Sequence, residues 1–247
     1  MLVRNNKIKL NEARESTIIL SETNENFIIL DDNTYCKKED INKIGNQISK
    51  YNYRVKIVTI NHLMEKIKSY LYLKNINLKD YTIVTVGEGG KRAFEALNQK
   101  ASEVIEVKWS RNWNSEISNE FITNIEKFNF KSKKIIIIED VIATGETLFN
   151  IISEIQKMGG DVKKIICAII SESSPLIDKS FKETIVAMKI LSDDNKDPFW
   201  YPAIYSTRHL FYGDAEMPKF YEILNEKYFE NKKIENEIKK MRGEQEC

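Results

Sequence analysis

Apolar and polar positions along the chain alternate between strand-like runs and helix-like repeats. The clearest run is Ile135–Ile138, four β-branched residues in succession, which suits a strand buried on both faces in the middle of a parallel sheet. Two acids, Glu139 and Asp140, come directly after it. We expect the strand to end at these acids and a helix to follow a short turn, because apolar residues then recur at helical spacing, at Leu148, Ile151, Ile152 and Ile155.

Further strands are predicted on both sides of this segment. The apolar runs that indicate them are 81–86, 104–107, 164–170 and 184–190. Because strands and helical patterns alternate through residues 81–190, we expect an α/β fold with a parallel sheet flanked by helices.

The N-terminal part has a different pattern. Residues 16–20 and 27–30 are apolar and flank the polar stretch 21–26, which is typical of a hairpin, and helical spacing follows in 39–51 and 62–74. We therefore expect a hairpin and helical extension packed on the core, then the core, then a C-terminal aromatic segment with amphipathic helices. The predicted ranges of these three parts are 1–75, 76–192 and 193–247.

Composition limits the function classes. The hydrophobic content of 42%, the charged content of 30% and the net charge of +1 are typical of a globular protein without a basic surface for nucleic acid. No apolar run has the length of a membrane span, and the N-terminus lacks a signal-peptide core, so we expect a cytoplasmic protein that binds no membrane. The cysteines Cys36, Cys167 and Cys247 are far apart and predict free thiols.

The turn after the central strand has the chemistry of a phosphate site. Residues 143–147 are small or carry hydroxyls around a glycine, so main-chain N–H groups and the helix dipole can face an anion there. Glu139 and Asp140 would repel a phosphate and are better matched to sugar hydroxyls or to a cation. The sequence therefore indicates a phosphorylated-sugar site. From spacing alone, an ordinary turn with solvated acids and a capping Thr144 or Thr147 remains open.

The run IIIIEDVIATGETL resembles the 5-phosphoribosyl-1-pyrophosphate (PRPP) binding motif of the type I phosphoribosyltransferases. The resemblance implies that Glu139 and Asp140 are catalytic and hold the ribose hydroxyls. It also implies that Mg²⁺ binds through PRPP and water, with Asp140 as the candidate protein ligand. Many members have glycine or lysine at the place of Glu146. The residues that would form the 5-phosphate loop are Ala143, Thr144, Gly145, Glu146 and Thr147.

Two upstream segments resemble other parts of the same family's site. Gly87, Glu88, Gly89, Gly90 and Lys91 follow a predicted strand and resemble the pyrophosphate loop, although a plain tight turn fits them equally well in isolation.

The second of these segments, residues 108–118, resembles the family's mobile loop in position rather than in sequence. Its Lys108 and Arg111 would reach the pyrophosphate on closure. A surface loop pinned by Trp109 and Trp113 is the alternative.

The C-terminal segment 193–214 is rich in aromatic residues that stand among turn residues, so we expect no regular element there. Phe199, Trp200 and Tyr201 are candidates for a hood over a planar acceptor, because aromatic faces stack on heterocycles. Packing of these rings against the body is the alternative for each of them. Arg208 and His209 add a guanidinium and an imidazole, and their roles stay open.

The resemblance implies transfer of a phosphoribosyl group from PRPP to a nitrogenous acceptor with release of pyrophosphate. Members that act on 6-oxopurines carry aspartate at the place of Ala143, so this chain is less suited to hypoxanthine or guanine. Two alternatives stay open: a non-catalytic sensor of PRPP or nucleotide, and another ribose-phosphate reaction in a specialised pathway. The C-terminal helices could pair two subunits in a homodimer.

Overall fold

A computed structural model describes residues 17–33, 36–49, 54–111, 121–143, 145–171, 183–191 and 203–207. The chain forms two compact units, each built from separate segments. One unit contains Met1–Asn24 and Ile60–Tyr201, and the other contains Glu25–Thr59 and Pro202–Cys247. The predicted division at residues 75 and 192 follows chain order instead, and it stays a prediction about the organisation of the chain.

The described residues contain twelve strands and four α-helices. The strands are β1 (Thr17–Ile19), β2 (Glu22–Thr23), β3 (Phe27–Asp31), β4 (Val55–Thr59), β5 (Thr82–Val86), β6 (Glu103–Val107), β7 (Trp109–Arg111), β8 (Phe121–Thr123), β9 (Lys134–Ile142), β10 (Asp161–Ser171), β11 (Thr184–Ile190) and β12 (Ala203–Ser206). The helices are α1 (Lys38–Ser49), α2 (Ile60–Leu73), α3 (Gly87–Leu97) and α4 (Glu146–Lys157).

A seven-stranded sheet forms the body of the first unit. Its strands follow the order β1-β11-β10-β9-β5-β6, and β2 pairs with β11. Every pairing in this sheet is parallel. The predicted α/β fold, a parallel sheet flanked by helices, is therefore confirmed.

Helices cover this sheet. The apolar side of α4 packs in one core cluster with Ile135 and Ile137 of β9 and with the buried Cys167 of β10. α2 contacts β10 and β11, and α3 contacts β5 and β9. The four-isoleucine run is completely buried, as the prediction of a strand covered on both faces requires.

A three-stranded parallel sheet of order β12-β3-β4 forms the second unit, together with α1. The central strand β3 is buried along Phe27–Leu30. Phe27 stacks on Tyr205 of β12, with ring centroids 5.2 Å apart. The apolar side of α1, at Ile41, Ile44 and Ile48, is also buried.

The predicted N-terminal hairpin is wrong. Its first run becomes β1, which pairs with β11, and its second run becomes β3, which pairs with β4 and β12. The stretch between them is not a turn, because it contains β2, which continues alongside β11. An apolar run buried on both faces, such as β3, is better satisfied by parallel neighbours on each side than by one antiparallel partner.

Three other expectations about regular structure are corrected. The glycine-rich residues after β5 are the first turn of α3 rather than a loop before it. Residues 109–111, expected in a loop, form β7, which pairs antiparallel with β8. Residues 203–206, expected to be irregular, form β12, because they complete the parallel sheet beside β3.

In the part of the chain that the structure describes, no helix has both the length and the apolar character needed to cross a membrane.

Candidate functional site

The order of the strands predicts a ligand crevice between β5 and β9. The chain leaves β5 through α3 and returns to the sheet at β6, on one side, whereas it leaves β9 through α4 and returns at β10, on the other side. Neighbouring strands whose connections run in opposite directions mark a topological switch point, and ligands bind outside the carboxyl ends of such strands. Both motifs singled out in the sequence lie at this edge.

β9 runs past the end of β5, which corrects the prediction that the strand stops at Ile138. The last pair between the two strands is Thr85 with Ile138, while β9 stays paired with β10 as far as Ile142. Glu139 and Asp140 therefore lie inside a strand that has lost its neighbour on one side. This is the physical origin of the crevice, and it holds both acids in extended backbone geometry.

Both acids bond to nearby main chain. The Val141 N–H donates to Asp140 Oδ1 at 2.8 Å, and the Asp140 N–H donates to Glu139 Oε1 at 3.2 Å. Burial raises the pKa of Glu139 well above its ordinary value, and the neighbouring Asp140 charge raises that pKa further. Glu139 thus keeps its proton to higher pH than an exposed glutamate does.

A buried thiol lies beside the acids. Cys167 pairs in register with Glu139, and its Sγ donates to the Ile169 carbonyl at 2.8 Å. Burial raises the pKa of Cys167 well above its ordinary value, with Glu139 and Asp140 adding to the effect. A buried thiol that holds its proton is a poor nucleophile, so Cys167 serves as packing here, which agrees with the free thiol that the sequence predicts.

The first turn of α3 packs directly against the end of β9. A Cβ atom added at Gly89 would lie 2.4 Å from the Asp140 Cγ and from both of its carboxylate oxygens, and one added at Gly90 would lie 2.4 Å from the Ile138 carbonyl oxygen. Only residues without a side chain permit this approach. The structure therefore brings two of the predicted motifs into direct contact, and it places the Asp140 carboxylate at the amino end of α3.

The neighbours of these glycines on α3 face elsewhere. Glu88 is exposed, so it does not introduce a buried negative charge. Lys91 pairs with Glu106 of β6, with Nζ and Oε2 at 3.5 Å. This ion pair joins α3 to β6. Lys91 therefore has a charge partner within the protein and needs no bound ligand for one.

The predicted phosphate loop leads into α4. Gly145 precedes the helix with φ of 77°, a left-handed conformation that favours glycine. The Phe149 N–H donates to the Gly145 carbonyl at 2.9 Å, so the main-chain N–H groups of residues 145–148 precede the first intrahelical bond. Thr147 is half-buried, and Ala143 is exposed. Thr144 and the side chain of Glu146 lie outside the described residues.

The remaining candidates fall partly or wholly outside the described residues. Lys108 follows β6 with an exposed side chain, and its main-chain N–H donates to Asn124 Oδ1 at 2.8 Å. The backbone of Arg111 ends β7, but its side chain is not described. Neither residue is brought against the acids by any described contact. The expectations for Phe199, Trp200, Tyr201, Arg208 and His209 lie outside the described residues.

One polar group at the site was missed by sequence reasoning. The Thr85 hydroxyl, on β5, is buried and has no hydrogen-bond partner among the described residues. A threonine inside an apolar strand carries no signal that its hydroxyl will be left unpaired, because pairing depends on neighbours that are distant in the chain.

The second unit has an acid pair at the same spacing from a following helix as Glu139 and Asp140. Asp31 is the last residue of β3, and Asp32 follows it ahead of α1. Asp32 is buried, and Thr207 Oγ1 donates to its Oδ1 at 2.8 Å, which joins the ends of β3 and β12. Burial raises the pKa of Asp31, and Asp32 adds to the effect. The bond to Thr207 gives Asp32 a structural role, and the spacing of the two acids from the strand and the helix is the sequence signal that could have drawn attention to the pair.

Among the described residues, no three metal-binding side chains come together.

The chain is similar to a known protein family and to several solved structures. Residues 43–192 match a family model described as uracil phosphoribosyltransferase. The search of curated proteins found no significant match. Solved structures similar to the chain include a hypoxanthine phosphoribosyltransferase from Staphylococcus aureus, with 17% identity, 54% of this chain and 73% of that chain covered, and a TM-score of 0.42.

Two further solved structures are similar to the chain. A purine phosphoribosyltransferase from Pyrococcus horikoshii has 16% identity, 77% of this chain and 93% of that chain covered, and a TM-score of 0.38. An orotate phosphoribosyltransferase from Mycobacterium tuberculosis, in complex with inorganic phosphate, has 11% identity, 53% and 69% covered, and a TM-score of 0.35.

Proposed function

Because the chain belongs to the uracil phosphoribosyltransferase family, within the type I phosphoribosyltransferases, we propose that it transfers the phosphoribosyl group of PRPP to a nitrogenous acceptor and releases pyrophosphate. The membership makes the chain a phosphoribosyltransferase, and the use of PRPP and the class of acceptor are the proposed parts.

The observation that carries the proposal is the convergence of acids, glycines and a helix start at one switch point. Asp140 lies against the first turn of α3. The turn before α4 comes a few residues later, directly after the end of β9. PRPP combines vicinal hydroxyls with phosphate groups at two ends of one sugar. A site for it requires hydroxyl acceptors near an anion-binding position, and the acids of β9 followed by the start of α4 support this assignment.

In this proposal both acids bind the ribose hydroxyls. Asp140 accepts hydrogen bonds from the ribose hydroxyls through the oxygen that the Val141 N–H does not use. Glu139 supplies a second carboxyl group for the ribose hydroxyls. The 5-phosphate binds to the main-chain N–H groups of residues 145–148, where the dipole of α4 also favours an anion.

Mg²⁺ fits this arrangement as an ion bound mainly by substrate. It commonly takes one or two protein carboxylates together with substrate phosphates and water. Asp140 is the candidate protein ligand, because the raised pKa of Glu139 makes that residue a weaker one. When bound, the ion would neutralise charge on the leaving pyrophosphate.

Catalysis would come from positioning and from charge around the sugar. Loss of pyrophosphate leaves oxocarbenium character on the ribose, which negative charge near the ring stabilises, as in glycoside chemistry. Asp140 supplies that charge. Lys108 and Arg111 lie in the segment that follows β6, and we propose that they approach the pyrophosphate when substrate binds.

The acceptor is proposed to be a planar nitrogenous base, with uracil the first to test because of the family. Ala143 is exposed at the end of β9 and supplies no carboxylate to a purine ring, which disfavours 6-oxopurines. Phe199, Trp200 and Tyr201 are proposed to form one wall of the acceptor site, since a planar ring needs apolar surfaces.

The test is release of pyrophosphate from PRPP and Mg²⁺ in the presence of uracil, orotate, adenine or hypoxanthine. The proposal expects release that depends on one acceptor and is lost in Asp140→Asn. The matched control is Asp80→Asn, which changes an exposed aspartate before β5, at the other end of that strand. PRPP binding without release for any acceptor would instead support the sensor, and absence of PRPP binding would refute both.

A further inference from the structure

Gly89 is the third residue of α3, and it lies against the carboxylate of Asp140 rather than facing open space. A Cβ at residue 89 would be 2.4 Å from three atoms of that carboxylate, whereas ordinary van der Waals contact is 3.4–4 Å. The carboxylate thus occupies the space that a side chain at residue 89 would need. A cluster of glycines before a helix is commonly read as an anion loop, but this contact gives Gly89 a different task.

We propose that Gly89 is a positioning residue for Asp140: its missing side chain forms the slot that fixes the carboxylate at the amino end of α3. The inference rests on the proposed function, since it concerns how Asp140 meets the ribose hydroxyls. It adds that the glycine-rich start of α3 and the acids of β9 are coupled. They form one site only because residue 89 is glycine.

The contacts of Gly90 determine which group must move when residue 89 gains a side chain. Gly90 brings the helix main chain against the Ile138 carbonyl, so the start of α3 is held by the backbone of β9. A methyl group at residue 89 therefore cannot be accommodated by a small shift of the helix. The Asp140 side chain must rotate instead, which breaks its bond from the Val141 N–H and turns the carboxylate away from the direction that the slot imposes.

Favourable electrostatics accompanies this packing. The first turn of α3 carries main-chain N–H groups without intrahelical partners, and the helix dipole places partial positive charge there. Lys91 does not hold the carboxylate, because it pairs with Glu106. The start of α3 supports the carboxylate through packing and through its main-chain N–H groups.

The test is a double-mutant cycle that combines Gly89→Ala with Asp140→Ala. Asp140→Ala removes the three atoms that the new methyl group would meet, so coupling between the two changes reports this contact. Two quantities are measured for all four proteins: ribose 5-phosphate affinity by calorimetry, and the urea midpoint of unfolding. Glu95→Ala is the matched control, because Glu95 is exposed on the same helix and lies two turns away from Asp140.

We expect Gly89→Ala to weaken ribose 5-phosphate binding about tenfold, the effect of losing one charge-assisted hydrogen bond. In the Asp140→Ala background the same change should alter affinity by no more than about twofold and should not lower the urea midpoint, because alanine favours the helix more than glycine does. Equal losses in both backgrounds would show that Gly89 serves the fold alone and would overturn the proposal. An unchanged affinity for the single variant would also overturn it.

The outcome is separable from that of the proposed function. If the wild-type protein binds no ribose 5-phosphate, the proposed function fails, and the inference is decided by the unfolding cycle. A lower urea midpoint for Gly89→Ala that disappears in the Asp140→Ala background would still support the slot, whereas additive midpoints would refute it.

Discussion

Asp140→Asn is the substitution that isolates the charge of the proposed hydroxyl-binding residue. Asparagine keeps an oxygen that can accept the Val141 N–H now bonded to Oδ1 at 2.8 Å, so the backbone of β9 should be unaffected. The second oxygen of the carboxylate becomes an amide, which donates rather than accepts. One charge-assisted hydrogen bond to a ribose hydroxyl is then lost, worth about 1.5–3 kcal/mol. The expected loss of affinity is about tenfold to 150-fold.

Calorimetric titration of ribose 5-phosphate into the two proteins measures this loss without requiring turnover. Asp80→Asn should bind as the wild-type protein does, because Asp80 lies before β5 and away from the carboxyl edge of the sheet. Equal urea midpoints for Asp140→Asn and the wild-type protein would confirm that the fold is intact. Affinities for the two that agree within about twofold would show that Asp140 does not bind the ribose hydroxyls, and the reasoning would be refuted.

Three other predictions follow from the same site. Thr147→Glu should weaken phosphate and ribose 5-phosphate binding by about 1–3 kcal/mol through repulsion at the helix start, and calorimetry that finds no loss would remove the phosphate loop. Glu139→Gln concerns pH: because the folded pKa of Glu139 is raised, its proton stabilises the fold at low pH, and stability falls as the pH rises from the ordinary carboxyl pKa to the raised one. In urea unfolding measured across pH, the free energy of unfolding of the variant should fall less over this range than that of the wild-type protein. An unchanged pH dependence would contradict the burial of this carboxyl. Trp200→Ala should raise the apparent KM for the acceptor in steady-state kinetics with little change in PRPP binding, whereas an unaltered acceptor KM would argue for packing alone.

The central strand and its acids could be predicted because the information is local. Four β-branched residues in succession suit only a strand that is covered on both faces, and the helical repeat from Leu148 onward indicates a crossover. The length of β9 could not be predicted. Its extension to Ile142 depends on pairing with β10, a partner that lies beyond the intervening helix.

The errors have the same physical origin. The runs at the N-terminus satisfy the pattern of a hairpin, but β1 and β3 find parallel partners far along the chain, at β11 and β12. Local turn propensity was outweighed by non-local pairing, which a single sequence does not reveal.

The glycines at the start of α3 show another limit. Glycine disfavours helices by about 1 kcal/mol per residue, so a loop was the natural expectation. The close approach of Gly89 and Gly90 to β9 is possible only with this composition, and tertiary packing outweighs propensity there. The sequence could therefore place the residues of the site in order, but it could not show that Gly89 and Asp140 touch.

The central claim is that the crevice between β5 and β9 binds a phosphorylated ribose, and a crystal structure of the complex with ribose 5-phosphate tests it most directly. The account predicts the phosphate on the main-chain N–H groups of residues 145–148 and a ribose hydroxyl within hydrogen-bond distance of Asp140. A phosphate bound elsewhere on the chain, with Asp140 and the start of α4 out of contact with the ligand, would contradict it.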